Sequence, residues 1–385
     1  MKIVHICLCG PFTDSWNYQE NLLTKYHKKQ GNEVFVITTS YRWGDNGKIE
    51  ATPDGNYTDD NGVRIFRIKN RLGTNYNSRI KFYSGLYELL ESIQPKIIFI
   101  HGVQFADISK VVAYCKKNPK TVVYADNHAD FSNSATNWVS KNILHKIVWK
   151  NCARKINPYV KKFYGVLPAR VDFLHNVYGL PKNKIELLVM GADDESVAVS
   201  GEPCVRESIR EKYGLSEDDF VVMTGGKIDA FKTQTLLLME AVKRIDNDKL
   251  KLIVFGSVIP ELKDKVNELA DGKKVQYIGW VKSADSYDYF AAADLVVFPG
   301  RHSVFWEQVA GQGIPMLVKK WAGTTHVDLG GNVRFLEKDS AEEIKEELER
   351  LLNNPELYNE MKSVAKTEGM KTFSYFDISR RSIEA

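Results

Sequence analysis

Short apolar runs of strand length alternate with helical patterns along the whole of this chain, and that alternation most constrains what it can fold into. A strand buried on both faces reads as a continuous apolar run, whereas a helix packed on one side repeats its apolar positions every three or four residues. In the first half the strand-like runs are Ile3–Leu8, Glu33–Thr38, Val63–Ile68, Ile97–Ile100 and Thr121–Ala125, with a weaker one at Phe163–Leu167. Helical stretches such as Asn17–Gln30, Ile80–Ser92 and Asp107–Lys117 separate most of them. The pattern restarts with Val221–Thr224, Leu250–Phe255, Val275–Ile278, Leu295–Phe298, Met316–Val318 and Val333–Leu336. Such an order implies parallel sheets covered by helices, an α/β architecture built twice.

With 385 residues the chain exceeds what a single core usually serves, which also argues for two domains. The polar stretch Asp193–Glu217 lacks clear periodicity and contains Gly201, Pro203 and Gly214, so it reads as the linker. The expected division is a first Rossmann-like domain over 1–195, a second over 196–370, and a terminal helix over 371–385 that crosses back onto the first. Tyr41–Asn61, rich in Gly, Asp and Asn, reads as a long loop.

Hydrophobic content of 43% and charged content of 26% are those of a folded, soluble chain. No apolar run approaches the roughly 18 to 20 residues of a membrane span, and Ile3–Cys9 reads as a buried first strand, not a signal peptide. The 5 cysteines are scattered without a Cys-x-x-Cys pair, which fits a reducing cytoplasm. Residues 1–195 hold 27 Lys/Arg against 18 Asp/Glu, the remainder 26 against 31. The basic half points either to an anionic partner, a membrane surface or a phosphate-bearing acceptor, or to solvated lysine faces. Trp138, Ile143, Ile147 and Trp149 among Lys141, Lys146, Lys150 and Arg154 suggest peripheral attachment to the inner face of a membrane, or an ordinary packed helix. Nucleic acid is not an expected partner, because no recognisable binding motif accompanies the basic residues.

Ligands of open parallel sheets bind beyond the carboxyl ends of strands, which directs attention to four loops. After Val221–Thr224 runs Gly225-Gly226-Lys227-Ile228-Asp229-Ala230-Phe231-Lys232-Thr233. Its glycines let backbone approach a ligand, and Lys227 and Lys232 can converge on a diphosphate beside a helix N-terminus. After Leu295–Phe298 comes Pro299-Gly300-Arg301-His302-Ser303, where Gly300 and nearby amides favour an anion and a helix starts near Ser303. Glu307 follows in an otherwise apolar helix, so its carboxylate needs donors that a pair of ribose hydroxyls would supply. After Thr121–Ala125, Asp126, Asn127, His128 and Asp130 can bind sugar hydroxyls or handle a proton. The loop after the first strand carries Asp14, Tyr18, Gln19 and Glu20 but no Gly-x-Gly-x-x-Gly fingerprint. Asp246-Asn247-Asp248 sits at a helix end before a strand and reads as a turn rather than a metal site.

Together these segments resemble the retaining family 4 of GT-B glycosyltransferases (glycosyl transferases group 1), over nearly the whole chain. That family's diphosphate grip, Gly-Arg-x-x-x-x-Lys, is matched by Gly226, Lys227 and Lys232, with lysine in place of the arginine fork. Val189-Met190-Gly191-Ala192-Asp193 is similar to its Asn-Gly-Val-Asp turn, and Phe373-Ser374-Tyr375-Phe376 to the start of its crossover helix. Of its two glutamates, Glu307 matches the second, on ribose; the first is absent, and His302 and Ser303 are expected to contact the donor sugar instead. The resemblance places His128 beside the donor sugar, puts Tyr18-Gln19-Glu20 where a Gly-Gly pair is usual, and assigns the base to Gly279-Trp280-Val281.

The resemblance implies a GT-B fold, two Rossmann-like domains with parallel sheets facing across a cleft. It also implies retaining transfer from a nucleotide diphosphate sugar, expected to be UDP-linked, to an acceptor hydroxyl in cell-surface polysaccharide or glycolipid assembly. The donor is a substrate, and neither cofactor nor metal is expected. Asp126, His128 and Asp130 are the expected catalytic groups; Gly226, Lys227, Lys232, Val281, Gly300, His302, Ser303 and Glu307 are expected to bind the donor. Retention by same-face attack and by a covalent intermediate both stay open. The competing expectations are a sugar-nucleotide 2-epimerase on the same scaffold and a non-catalytic sugar-nucleotide binder.

Overall fold

The apolar runs form two extended parallel sheets, one in each half of the chain. The computed structural model describes residues 1–44, 48–71, 81–230 and 232–384. The chain divides into two units, Met1–Val189 with Ile378–Ala385, and Met190–Asp377.

In the first unit the sheet strands are β1 (Lys2–Cys7), β2 (Glu33–Thr39), β3 (Gly55–Thr58), β4 (Arg64–Ile68), β5 (Ile97–His101), β6 (Val122–Asn127), β7 (Val160–Gly165) and β8 (Ile185–Leu187). They lie in the order β8-β7-β6-β5-β1-β2-β4-β3, parallel throughout except for the edge strand β3. The whole of β5 is buried, which is why its sequence shows no polar alternation. Val4, Ile6, Ile98, Ile100, Val123 and Ala125 supply one continuous core. Each buried branched side chain there contributes roughly 1.5–3 kcal/mol before entropy is counted.

In the second unit β9 (Phe220–Gly225), β10 (Leu250–Phe255), β11 (Val275–Tyr277), β12 (Leu295–Phe298), β13 (Met316–Lys319) and β14 (Val333–Leu336) are arranged β11-β10-β9-β12-β13-β14, all parallel. Placing β9 at the centre makes β9 and β12, far apart in sequence, direct neighbours through Val222↔Leu295 and Met223↔Val296. The loops after β9, β12 and β13 therefore leave one edge of the sheet side by side.

Three sequence expectations need correction. Tyr41–Asn61 is not a plain loop: Tyr41–Trp43 pairs antiparallel with Ile49–Ala51, and β3 follows, while residues 45–47 lie outside the described residues. All four residues of β3 are exposed, so no apolar alternation announces it. The helix expected from Ile80 runs Leu86–Ile93, and Ile80 itself is outside the described residues. Asp193–Glu217 is not an unstructured linker but holds the helices Asp194–Ser200 and Pro203–Lys212, the latter opened by Pro203 at its first position. Ser200 and Arg210 are their buried residues, so neither helix carries an apolar stripe.

The segments around Ala192 and Ser374 form a parallel bridge, with the Ala192 amide donating to the Phe373 carbonyl at 2.8 Å. Both press on the helix Phe305–Gly311, where a Cβ on Gly311 would stand 2.6 Å from the Ala192 Cβ. The last helix is Tyr375–Glu384. Its residues from Ile378 onward belong to the first unit, where the Tyr124 hydroxyl donates to the Ile383 carbonyl at 2.8 Å.

Candidate functional site

Beyond β9 the chain needs glycine for two distinct reasons. Gly226 adopts φ +132°, a conformation L side chains avoid, and its would-be Cβ faces open space. Gly256, after β10, also has φ +132°, and a Cβ there would fall 1.8 Å from the Gly226 carbonyl oxygen. The backbones of the two loops thus come into contact, and Gly226 is half-buried with open space on the side where a Cβ would stand. Lys227 is exposed and its Nζ lies 3.6 Å from Asp229. Lys232 is half-buried, directly before the helix Gln234–Arg244, whose N-cap makes no side-chain hydrogen bond. Burial depresses the Lys232 ammonium below its ordinary value; Asp229 opposes this, while Arg301 and Lys227 push it lower. A cation held among cations in a partly desolvated place is arranged for an anion.

Gly300 faces the start of that helix: its would-be Cβ lies 3.3 Å from the Gln234 amide oxygen, and its carbonyl accepts from Trp321 Nε1 at 3.2 Å. The helix expected from Ser303 begins at Phe305 and runs to Gly311, with Trp306 through Gly311 buried. Glu307 is fully buried, and its Oε1 accepts from His302 Nε2 at 2.7 Å and from His326 Nε2 at 2.8 Å. Burial raises this carboxyl, but the two imidazoles outweigh it and hold it well below the usual carboxylate range. Its Oε2 and His326 Nδ1 are buried with no partner, as is the Trp306 indole N–H. Buried acceptors and donors left unpaired among the described residues are the kind of groups that a polar ligand satisfies. His302, expected on the donor sugar, is hydrogen-bonded to Glu307 through Nε2. The Ser303 hydroxyl has no hydrogen-bond partner among the described residues. Trp280 is 68% exposed and Val281 half-buried beyond β11, where Gly279 accepts from the Gly256 amide at 2.7 Å. Phe231 lies outside the described residues.

In the first unit, β6 carries Asp126 just before its last residue, Asn127; Asp126 is 1% exposed, and its Oδ1 accepts from the Gly102 amide at 3.0 Å and its Oδ2 from His101 Nδ1 at 2.8 Å. His128 turns its Nε2 to 3.4 Å from the same Oδ2 while 37% of its side chain stays exposed. Burial lowers this imidazole, but Asp126 outweighs it and the net shift is upward. Asp126 is thus buried and lies next to the partly exposed His128. Asp130, expected among the catalytic acids, is engaged otherwise: Ser132 N and Oγ donate to its Oδ1 at 2.6 and 2.5 Å, and Arg170 Nε to its Oδ2 at 3.2 Å. That is the bracing of a loop. Gln19 is buried with both amide atoms unpartnered, Glu20 acts electrostatically on His128, and Tyr18 is 41% exposed. Asp14 is held by Tyr57 and Arg67.

Residues 205–368, most of the second unit, match the model of the family described as glycosyl transferases group 1. The match falls within the second unit. A mannosylfructose-phosphate synthase of Agrobacterium fabrum is 23% identical over 257 residues, which are 63% of this chain and 54% of that protein. The chain thus matches about half the length of that curated relative. Among solved structures, Anabaena HepE in complex with UDP superposes with a TM-score of 0.65 at 14% identity, covering 99% of this chain and 98% of that one. A UDP-GlcNAc 2-epimerase of Neisseria meningitidis bound to UDP-GlcNAc gives 0.65 at 12% identity, covering 100% and 99%. The fold is GT-B, with two Rossmann-like domains.

Within the second unit, sheet order brings Gly226, Lys227, Lys232, Gly300, His302, Ser303 and Glu307 to adjacent segments, as the order β9-β12-β13 requires. His326, in the loop after β13, is the partner that sequence reasoning missed; 19 residues separate it from Glu307 and no local motif marks it. His101 was missed for the same reason, being joined to Asp126 only by strand pairing.

Proposed function

We propose that this protein transfers a sugar from a UDP-linked donor to an acceptor hydroxyl with retention at the anomeric carbon and without a metal. The observation that carries the reading is the grouping of Lys232 with Arg301 and Lys227 in the loops after β9 and β12, where the helix after β12 holds a buried, half-satisfied Glu307, in a unit that matches glycosyl transferases group 1. In it, the cations stabilise the charge that builds on the departing diphosphate, which is electrostatic preorganisation rather than covalent catalysis. Ribose hydroxyls donate to Glu307 Oε2 and His326 Nδ1, and Val281 with Trp280 flanks the base. His128, steadied by Asp126, serves the transferred sugar or its acceptor.

A lipid-linked acceptor at a membrane, in polysaccharide or glycolipid assembly, is supported by the face around the wide helix Ser140–Trp149. Trp138, Val139, Ile143 and Ile147 are exposed by 69%, 53%, 42% and 62%, with Lys141 and Lys146 exposed among them, whereas Trp149 is packed inside. No helix among the described residues is long and apolar enough to cross a membrane.

The test is product analysis with a panel of nucleotide sugars, in EDTA, with and without acceptor. Transfer yields nucleoside diphosphate and an α-linked product from an α-linked donor. Inverted product, loss of activity in EDTA, or acceptor-independent release of an epimerised sugar, as the shared fold of the epimerase would allow, refutes the reading.

A further inference from the structure

Four hydrogen bonds join Asp126 to the last helix through three buried imidazoles. His101 Nδ1 meets Asp126 Oδ2 at 2.8 Å, His101 Nε2 meets His5 Nδ1 at 2.9 Å, His5 Nε2 meets His27 Nδ1 at 3.0 Å, and His27 Nε2 meets the Ser379 carbonyl at 2.9 Å. His5 and His27 are fully buried and His101 is 6% exposed. All of these residues belong to the first unit.

A proton count settles the charge. Both ends of the chain are acceptors, a carboxylate and a carbonyl, so its four links need four ring protons. Three neutral imidazoles carry three. With only three, one link would set lone pair against lone pair in a place without water, which costs the full desolvation of both atoms. The Ser382 Oγ stands 2.7 Å from the Ser379 carbonyl and 3.1 Å from His27 Nε2, and turning its proton to His27 would leave the shorter Nε2 to carbonyl contact, 2.9 Å, without one.

We propose that the array holds one proton in excess, as a His101 imidazolium paired with the Asp126 carboxylate, and that His101 is thereby the positioning residue that sets the charge of His128. The direction of every link follows: His101 donates to His5, His5 to His27, and His27 to Ser379, with the two neutral rings protonated on Nε2. Burial depresses His5 well below its ordinary value and takes His27 to about 4, so both are neutral at pH 7. Asp126, raised by burial but lowered more by His101 and His128, is an anion. With His101 cationic, the carboxylate is already balanced when His128 meets it, which limits how far Asp126 raises the His128 imidazole. Among the described residues, the other charged or titratable groups facing this end include Glu20 and Arg170 at His128, and Cys7 and Cys9 near Asp126; Phe99 stacks on His5, and Tyr164 on Phe99. The charge state of the array is independent of the donor site.

The experiment is 15N NMR of the imidazoles in the full chain, which has only 8 histidines. Couplings transmitted across the N–H···N links identify His101, His5 and His27. At pH 7.5 His101 is expected with both nitrogens protonated and the other two as neutral Nε2–H forms; a neutral His101 overturns the proposal. In Asp126→Asn, His101 is expected to lose its second proton, and a persistent imidazolium there would refute the pairing. In His101→Gln, Asp126 has His128 as its remaining imidazole partner, and the His128 titration is expected to rise by about one unit or more. An unmoved titration in that variant rules out the positioning role, whatever donor the protein uses.

Discussion

Replacing Lys232 by Met separates affinity from stability and tests the anion grip directly. In the free protein this ammonium is half-buried and surrounded by Arg301 and Lys227 with Asp229 as compensation, and its depressed proton affinity means the folded state disfavours the charge. Removing it, while keeping an apolar stem of similar length, leaves the free protein as stable as before or more so. With a diphosphate bound, the same cation makes a charge-assisted hydrogen bond in a partly desolvated place, worth about 1.5–3 kcal/mol. That corresponds to roughly a tenfold to 150-fold loss of UDP affinity in the variant. Calorimetric titration with UDP at two salt concentrations, beside thermal unfolding without ligand, measures both quantities. The wild-type affinity falls with salt and the variant's falls less. Unchanged UDP affinity, or a free variant that unfolds well below wild type, would show that Lys232 braces the fold and does not grip a ligand.

Glu307→Ala strands the Nε2 protons of His302 and His326 in a buried place and is expected to lower stability by about 3 kcal/mol or more, whereas Glu307→Gln keeps an acceptor for both and loses less. Denaturant titration ranks the two; equal losses would contradict the two-imidazole arrangement. His27 binds protons less readily folded than unfolded, so the unfolded chain takes up more protons below its ordinary value of 6.5 and stability declines as pH falls toward about 4. Urea midpoints across that window are expected to fall in wild type and to fall less in His27→Gln, and parallel profiles would count against a neutral buried His27. Asp126 and Glu307 have depressed values, so their contributions persist above the usual carboxylate range and disappear only in stronger acid. Gly256→Ala forces a Cβ into the Gly226 carbonyl and should cost about 3 kcal/mol or more, read as a drop in unfolding midpoint and weaker UDP binding.

Much of the site's backbone was legible in sequence. Gly226 and Gly300 sit where a strand end meets a helix start, and the residues that follow them are chemically unusual for such turns. The first glutamate of the resembled family is missing from this loop, and the structure has His302 turned onto Glu307. Asp130, in contrast, looked like its neighbours Asp126 and His128, and only the positions of Ser132 and Arg170 reveal a brace.

From sequence alone come the two parallel sheets, the strand-end loops and the cationic turn at Gly226–Lys232, because burial on both faces and the need for glycine act on adjacent residues and leave local marks. Only the tertiary structure decides that His326 completes Glu307 and that His101, His5 and His27 stand in one line to Ser379. Those contacts follow from which strands become neighbours in the sheet, an outcome of packing the whole chain at once that no short window of residues encodes.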